Sequence, residues 1–354
     1  MRKDILFIGI EGGASKSTAV LADENLKVLK RSLGGPLNYQ AIGEARTEAE
    51  MRKLLRPLFS ASAVKKSVKV FAVFGLAGLN TKKDRNTYES IARRVLPRSF
   101  AFSVHNDTKI TLEAVCEGNN RPIRDRDLPE RLTSFSRAGG LPTGQAKRAS
   151  VSNGASILAI SGTGSNVYAE SGRKTATSGG WDFLVADEGS AFGAGMLVLR
   201  AAVKSWDGRA KKSIFEHLLP RHLRVPSMEK AVEHVYAVWR KNPQDFKPFV
   251  ASLAPLVDIA LKKKDYAASC IREYTAQELA LGVKAVAHKL GLKRQKVCVG
   301  MTGSNWKMPG LDTIFKKEVR SFLPQANFVK PQESKGAYGA LLLARKMYYN
   351  KTRT

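Results

Sequence analysis

The chain has 354 residues, of which 43% are hydrophobic and 8% aromatic, and its 59 Lys and Arg against 31 Asp and Glu give a formal net charge of +28 at pH 7. This apolar content excludes a disordered polycation, and the length is sufficient for two domains with separate cores. So large a charge is typical of proteins that bind polyanions, but the basic residues are scattered without a long block. This scatter favours a generally basic surface over a nucleic-acid partner.

The three cysteines, Cys116, Cys270 and Cys298, are far apart and form no CxxC pair. The sequence therefore indicates neither a zinc site nor a disulfide framework. The apolar run near Met1 is too short for a secretory signal, and no stretch reaches the roughly 20 apolar residues that span a bilayer. We expect a cytoplasmic protein with no membrane partner.

Residues 5–22 place apolar β-formers on both sides of a glycine-rich turn, Glu11-Gly-Gly-Ala-Ser-Lys-Ser17, which predicts a β-hairpin. A similar pattern returns in residues 157–169, around Ser161-Gly-Thr-Gly-Ser165. In both copies an oxygen-bearing residue and a glycine follow the first strand, and a serine stands four residues after that oxygen. This internal repeat predicts the duplication of one α/β unit.

Asp107 occupies a position typical of functional residues in α/β folds. The sequence predicts a strand over 102–105 that leads into Asn106-Asp107, followed by a helix over 108–116. Ligands gather where such strands end and helices begin. Apolar spacing further predicts strands over 68–74 and 297–300 and helices over 44–59, 228–240, 265–290 and 336–348.

Residues 119–153 differ from the rest because they are rich in Arg, Pro, Gly and Ser, with little periodicity and a net charge of +4. This composition predicts a long surface insertion. We therefore expect a first ATPase-type domain over 1–118, completed by a C-terminal helix over 336–350, the basic insertion over 119–153, and a second ATPase-type domain over 154–335.

Two hairpin turns rich in Gly, Ser and Thr, one on each repeat, suit a polyphosphate. Backbone N–H groups bind anions, hydroxyls add donors, and glycine allows close approach. Lys16 could offset charge on the outer phosphates. The turns match neither the GxxxxGK[ST] pattern of P-loops nor the GxGxxG pattern of dinucleotide-binding folds.

Transfer of a phosphoryl group to a hydroxyl needs a positioned base, and the nucleotide needs a divalent cation. Asp107 is our candidate for the base, and the alternative is that it merely caps the following helix. Glu11 could hold Mg²⁺ through water, and the alternative is a solvated turn carboxylate. Residues 178–192 combine glycines, an aromatic ring at Trp181 and acidic groups such as Asp187, which together suit a sugar site.

Five motifs in order resemble the N-acetylglucosamine kinase branch of the BadF/BadG/BcrA/BcrD ATPase group, within the actin, sugar kinase and Hsp70 superfamily. They are Glu11 to Ser17, Asn106-Asp107, Ile160 to Asn166, Gly179 to Ala191, and Val299 to Lys307. The resemblance implies two duplicated ribonuclease H-like, actin-like ATPase domains with the active site in the cleft between them. It also implies ATP and Mg²⁺ as cofactors and an amino sugar as the substrate. A homodimer is a possibility that the sequence leaves open.

The resemblance also implies roles for individual residues. Asp107 matches the general base that acts on the C6 hydroxyl. The residues matching the ATP site are Gly12, Gly13, Ser15, Lys16, Ser17, Gly162, Thr163, Gly164, Gly303 and Ser304. The residues matching the sugar site are Asn38, Asp107, Gly179, Gly180, Trp181 and Asp187.

Two residues of the sugar segment depart from the family pattern, because Asp182 and Ala186 stand where glycines are common. The expected reaction is ATP-dependent phosphorylation of N-acetylglucosamine at its 6-hydroxyl. A kinase for glucosamine, N-acetylmuramic acid or another hexose is the nearest alternative. More distant alternatives are a dehydratase-activating ATPase, which would bind an iron–sulfur cluster through cysteines, and a basic nucleic-acid-binding protein.

Overall fold

The computed structural model describes residues 5–13, 16–60, 64, 69–117, 154–329 and 336–351. The chain divides into a first unit, formed by residues 1–150 and 334–354, and a second unit, formed by residues 151–333. The predicted basic insertion at 119–153 lies outside the described residues. The insertion and the predicted domain boundaries therefore stay predictions.

The described strands fall into two sets of five. They are β1 (Ile5–Gly12), β2 (Ser17–Ala22), β3 (Val28–Gly34), β4 (Lys69–Leu76), β5 (Ala101–Asn106), β6 (Ala155–Ser161), β7 (Ser165–Ser171), β8 (Lys174–Gly179), β9 (Val297–Thr302) and β10 (Ala326–Phe328).

The described α-helices are most numerous between β8 and β9. They are α1 (Tyr39–Ile42), α2 (Glu44–Phe59), α3 (Lys82–Val95), α4 (Asp107–Leu112), α5 (Ala191–Trp206), α6 (Phe215–Leu223), α7 (Met228–Lys241), α8 (Pro243–Ala251), α9 (Pro255–Lys262), α10 (Tyr266–Lys289), α11 (Leu311–Phe322) and α12 (Gly336–Lys351). A π-helical turn (Glu113–Glu117) extends α4, and a 3₁₀-helix (Ser304–Lys307) follows β9.

The two sheets have the same topology. The first unit has the order β3-β2-β1-β4-β5 and the second has β10-β9-β6-β7-β8, which is the same order written from the other edge. In each sheet the first three strands are antiparallel, and the last two lie parallel to the first. The predicted duplication and the ribonuclease H-like fold of both units are confirmed.

Both faces of the first sheet are covered, because alternate side chains of β1 point to opposite sides. Leu6, Ile8 and Ile10 join a core with α2 and α3, and Phe7 joins a second core with α12. Gly9 permits the close approach of α12, since a Cβ at that position would lie 2.8 Å from the backbone nitrogen of Leu341. The carboxyl ends of β1, β4 and β5 are thereby held on a rigid support.

The second sheet packs against α10 and α11, and their apolar residues form one continuous core with those of α5 and α6. This packing fixes the turn between β6 and β7 and the segment that follows β9. No helix among the described residues is both long and apolar enough to cross a membrane.

Candidate active site

The first glycine-rich turn closes the hairpin between β1 and β2, with Gly12 paired to Ser17. The Gly13 N–H donates to the Lys16 carbonyl at 3.0 Å. Lys16 is exposed, as a group that contacts a nucleotide must be, whereas Ser17 is 3% exposed and its hydroxyl has no partner among the described residues. Ser15 lies outside the described residues.

Glu11 lies at the end of β1 and contacts the start of α12. Its carboxylate accepts the backbone N–H of Ala337, and a Cβ at Gly336 would lie 2.5 Å from its Oε1. A negative charge is favourable at a helix N-terminus. Burial raises the pKa of Glu11 above its usual value, and the nearby charge of Asp107 adds to the effect. The alternative of a simply solvated turn carboxylate was therefore wrong.

Asp107 is the first residue of α4, and its neighbour Asn106 caps the helix. Asn106 Oδ1 accepts the Thr108 N–H at 2.8 Å and the Thr108 hydroxyl at 2.6 Å. The interpretation of Asp107 as the N-cap was therefore wrong. Burial raises the pKa of the Asp107 carboxyl, although backbone N–H groups of Asp107 and Thr108 act in the opposite direction. The side chain still reaches solvent in part, so it can accept a proton from a ligand.

Asn38, the predicted sugar-binding asparagine, begins α1. Its Oδ1 accepts the Gln40 N–H at 3.1 Å, which leaves the amide Nδ2 available as a donor. Gly78 lies against this side chain with φ of +78°, and a Cβ at Gly78 would lie 2.6 Å from Asn38 Oδ1. Glycine is therefore required at position 78 by both backbone conformation and space.

Asp84 organises this part of the first unit, although the sequence analysis did not select it. Its Oδ1 accepts the Tyr39 hydroxyl at 2.5 Å and Gln40 Nε2 at 3.0 Å. Its Oδ2 accepts the N–H groups of Asn80 and Thr81 at 3.0 and 2.7 Å and the Thr81 hydroxyl at 2.8 Å. Burial opposes the charge, but these hydrogen bonds hold the pKa of Asp84 well below its usual value.

The capping pattern Thr81-x-x-Asp84 was a visible signal of a helix start, and α3 begins there. The same loop reaches the start of α4, because Asn106 Nδ2 donates to the Leu79 carbonyl at 2.9 Å. Asn38 and the cap that precedes Asp107 are thus held by one hydrogen-bonded network.

In the second unit, the turn after β6 presents free backbone donors. Thr163 is exposed, and the N–H groups of Thr163 and Gly164 have no acceptor among the described residues. Gly303 lies beside this turn with φ of +114°, and any side chain there would collide with the Ser161 carbonyl. The structure thereby brings together the predicted ATP residues that follow β6 and β9.

Ser161 joins three segments of the second unit. It is fully buried; its hydroxyl donates to the Gly189 carbonyl at 2.6 Å and accepts Asn305 Nδ2 at 3.1 Å. The glycine-rich turn, the predicted sugar segment and the segment after β9 are therefore mutually fixed.

The predicted sugar segment begins with two glycines in the left-handed region, Gly179 and Gly180, with φ of +75° and +76°. A Cβ at Gly180 would lie 2.9 Å from Asn166 Nδ2. Trp181 is 75% exposed, so its ring is open to a ligand. An exposed aromatic face beside polar groups is typical of sugar sites.

Asp187 is 3% exposed, and each of its carboxylate oxygens contacts another residue. Oδ1 accepts the Ser165 N–H at 2.7 Å, and Oδ2 lies 2.7 Å from the Lys247 ammonium. A Cβ at Gly164 would lie 2.8 Å from Oδ1, so glycine at that position lets the carboxylate approach the turn. Lys247 had no signal in the sequence, because it lies in α8, within no motif.

No group of three or more acidic, His or Cys side chains able to hold a metal ion occurs among the described residues. Mg²⁺ bound with a nucleotide keeps several waters and needs only one or two carboxylates besides the phosphates. Glu11 fits that role, because burial and repulsion by the nearby charge of Asp107 both raise its pKa. A hydrated cation would relieve this repulsion.

The family model for BadF/BadG/BcrA/BcrD ATPases matches residues 145–344. The chain belongs to this family. A curated relative from Clostridium acetobutylicum, an N-acetylmuramic acid/N-acetylglucosamine kinase, is 28% identical over 349 residues and covers 96% of this chain and 97% of its own. An N-acetyl-D-glucosamine kinase from Dictyostelium discoideum is 26% identical over 360 residues, with 97% and 98% covered.

The fold of this ATPase family member also matches a solved structure. A candidate N-acetylglucosamine kinase from Chromobacterium violaceum superposes with a TM-score of 0.61 at 18% identity, covering 96% of this chain and 98% of that chain. At this identity the likeness shows the shared fold. It agrees with the two mixed five-stranded sheets and confirms the actin-like ATPase fold implied by the resemblance.

Proposed function

We propose that the protein is an ATP-dependent sugar kinase that phosphorylates the 6-hydroxyl of N-acetylglucosamine or a related amino sugar. The observation that carries the proposal is that Asp107, a carboxylate at the carboxyl end of β5, does not cap the following helix, because Asn106 does so. Its raised pKa favours proton uptake from a bound hydroxyl. The names of both curated relatives support the amino sugar as substrate.

In this proposal the free N–H groups of Thr163 and Gly164, together with the turn at Gly12 and Lys16, bind the phosphates of ATP. Glu11 would hold Mg²⁺ through water, and the ion would supply charge neutralisation on the phosphates. Asn38 Nδ2 donates to a sugar oxygen, Asp187 accepts from a sugar hydroxyl, and Trp181 covers the ring.

Asp107 takes the proton of the sugar C6 hydroxyl as its oxygen forms a bond to the γ-phosphorus. The bond between the γ-phosphorus and the bridging oxygen breaks, and ADP leaves with the electron pair. Most of the rate enhancement comes from positioning and electrostatic stabilisation, as in other phosphoryl transfers.

The direct test is ADP release with N-acetylglucosamine, glucosamine, N-acetylmuramic acid, N-acetylmannosamine and glucose. We expect turnover with at least one amino sugar and weak turnover with glucose. N-acetylmuramic acid is a specific second candidate because the first curated relative is named for both sugars. Absence of turnover with every sugar in the panel would refute the proposal.

Asp107→Asn is expected to lower turnover by at least about 100-fold, the effect of losing a general base. Asp312→Asn is a matched control, because Asp312 also lies in the first turn of a helix and has no proposed part in the reaction. Near-normal turnover in a folded Asp107→Asn protein would exclude Asp107 as the base.

A further inference from the structure

The segment from Asp182 to Asp187, here called the sugar loop, has little apolar anchoring. Leu184 and Val185 are 78% and 73% exposed, and the main ring contact is that of Phe183 with Phe192, at 5.2 Å between centroids. The loop borders a cavity of about 960 Å³ instead of packing onto a filled core. Hydrophobic burial therefore contributes little to fixing its position.

Both ends of the sugar loop are also in an unfavourable backbone conformation. Asp182 and Asp187 have φ of +70° and +77°, in the left-handed region that side-chain-bearing residues seldom adopt. Such conformations persist where surrounding contacts hold them in place. The contacts that do so here must be polar.

Lys247 of α8 supplies those contacts at both ends. Its ammonium lies 2.5 Å from Asp182 Oδ1 and 2.7 Å from Asp187 Oδ2, and 6.0 Å from the ring centroid of Phe183. Burial acts against the charge, but the two nearby carboxylates raise the pKa of Lys247 above its usual value. One cation therefore bridges the start and the end of the loop.

Removal of this cation would leave Asp187 as a buried carboxylate whose one remaining partner among the described residues is the Ser165 N–H. A buried charge that loses its partner is strongly unfavourable and either takes up a proton or moves toward solvent. Either response would displace or neutralise the carboxylate that accepts from the sugar in the proposed function.

We propose that Lys247 is a positioning residue of the sugar site, which holds the sugar loop in its binding conformation by bridging Asp182 and Asp187. The inference rests on the proposed function. It extends that function by adding a residue from outside the motifs, on a helix with no other assigned role. The predicted effect is on recognition of the sugar and not on ATP.

The test compares Lys247→Met, Lys247→Arg and Lys316→Met with the wild-type protein. Lys316→Met is a matched control, because Lys316 has the same 24% side-chain exposure as Lys247 and lies 2.6 Å from Asp312, far along the chain from the loop. For each protein, KM for the sugar, KM for ATP and kcat are measured, and sugar binding is measured by calorimetry without ATP.

We expect Lys247→Met to raise KM and Kd for the sugar at least about tenfold, the consequence of breaking a buried ion pair. KM for ATP should stay unchanged, Lys247→Arg should restore most of the sugar affinity, and Lys316→Met should behave as wild type.

An unchanged sugar KM in Lys247→Met would overturn the inference while leaving the kinase assignment intact. An equal rise in the KM values for sugar and ATP would also overturn it, because it would indicate a general loss of structure. Absence of sugar binding and turnover in the wild-type protein would refute the proposed function, and the inference with it.

Discussion

In the first unit, Asp84 accepts five hydrogen bonds, all from uncharged hydroxyl, amide and backbone donors. In the second unit, Asp187 accepts one backbone N–H and pairs with the Lys247 ammonium. Both carboxylates are nearly fully buried, at 4% and 3% exposure. A network of uncharged donors thus stabilises the buried carboxylate in the first unit, whereas a cation stabilises the one in the second unit.

The neutral network and the ion pair should respond differently to salt and to substitution. A network of short-range hydrogen bonds is screened little by salt, and each donor carries only part of the stabilisation. In an ion pair, one side chain provides most of the stabilisation, and an exposed ion pair becomes weaker as the ionic strength rises. We therefore expect the first unit to depend on Asp84 for stability, and the second to depend on Lys247 for ligand affinity.

The largest expected effect on stability is that of Asp84→Asn. The amide cannot accept the Asn80 and Thr81 hydrogen bonds and those of Tyr39 together, so we expect a loss of about 2–3 kcal/mol in the free energy of unfolding. The KM for the sugar should rise as well, because Asn38 loses support. Urea denaturation and steady-state kinetics would measure the two effects.

Asp23→Asn is a suitable control for that experiment. Asp23 also accepts two backbone N–H groups, from Asn25 and Lys27, but in an exposed turn. We expect its replacement to cost less than about 1 kcal/mol. Equal stability of the Asp84→Asn and wild-type proteins would show that the neutral network is not what stabilises the first unit.

Gly78→Ala and Gly180→Ala test similarly crowded glycines, one in each unit. Both glycines have φ near +77°, at +78° and +76°, and in both a Cβ would crowd an asparagine, Asn38 in one case and Asn166 in the other. We expect each to destabilise its unit by about 1–2 kcal/mol from the left-handed conformation alone. Chemical denaturation would measure this cost.

Gly172→Ala separates backbone strain from crowding, since Gly172 has φ of +60° and nothing within 4 Å of the added Cβ. The Gly172→Ala protein should be less stable than the wild type but have the same KM for the sugar, whereas Gly78→Ala should raise that KM. A normal sugar KM in Gly78→Ala would argue against a role for Asn38 in binding.

The pH dependence of turnover distinguishes the carboxylates of the two units. Asp107 must be ionised to act as the base, and burial raises its pKa, so kcat should fall on the acid side with a midpoint above the usual aspartate value. Below that midpoint the fall is about tenfold per pH unit. Burial opposes ionisation of Asp182, but Lys247 lowers its pKa, so the contact between Asp182 and Lys247 stays charged over the same range.

The sugar KM should therefore stay level where kcat falls, as measured by steady-state kinetics from neutral pH downward. If KM changed and kcat did not, the titrating group would belong to the sugar loop and not to the base.

Features with a local pattern were predictable from the sequence. The helix over 44–59 has the predicted limits, and both glycine-rich hairpins and the duplicated unit are present, because periodicity and turn residues determine them. The choice between Asn106 and Asp107 as the helix cap was not predictable, because both side chains can cap and only the contact of Asn106 with the Leu79 carbonyl decides.

The supporting residues escaped the sequence analysis for a related reason. Asp84 contacts Tyr39, and Lys247 contacts Asp182, across long separations in the chain, and a single sequence contains no record of which distant residues meet. The capping pattern at Thr81 indicated that Asp84 begins a helix, but not that it also fixes the loop at Asn38. The residues proposed to contact the ligands lie in motifs, whereas Lys247 does not.

The smallest expected effect is that of Asp182→Asn, which removes only the exposed end of the Lys247 bridge. The Asp182 side chain is 66% exposed, and exposed ion pairs contribute about 0–1 kcal/mol, which corresponds to at most about a fivefold rise in the sugar KM. Asp187 keeps its cation in this variant, so the effect must be smaller than that of Lys247→Met. Steady-state kinetics at low and high salt would measure both.

Added salt is expected to affect the two units differently. Added salt should raise the sugar KM of the wild-type protein toward that of Asp182→Asn, because it screens the exposed pair, and it should leave the stability deficit of Asp84→Asn unchanged. If Asp182→Asn proved as severe as Lys247→Met, the exposed contact would be the one that holds the sugar loop. The ion pair between Lys247 and the buried Asp187 would then not be the contact that holds the loop.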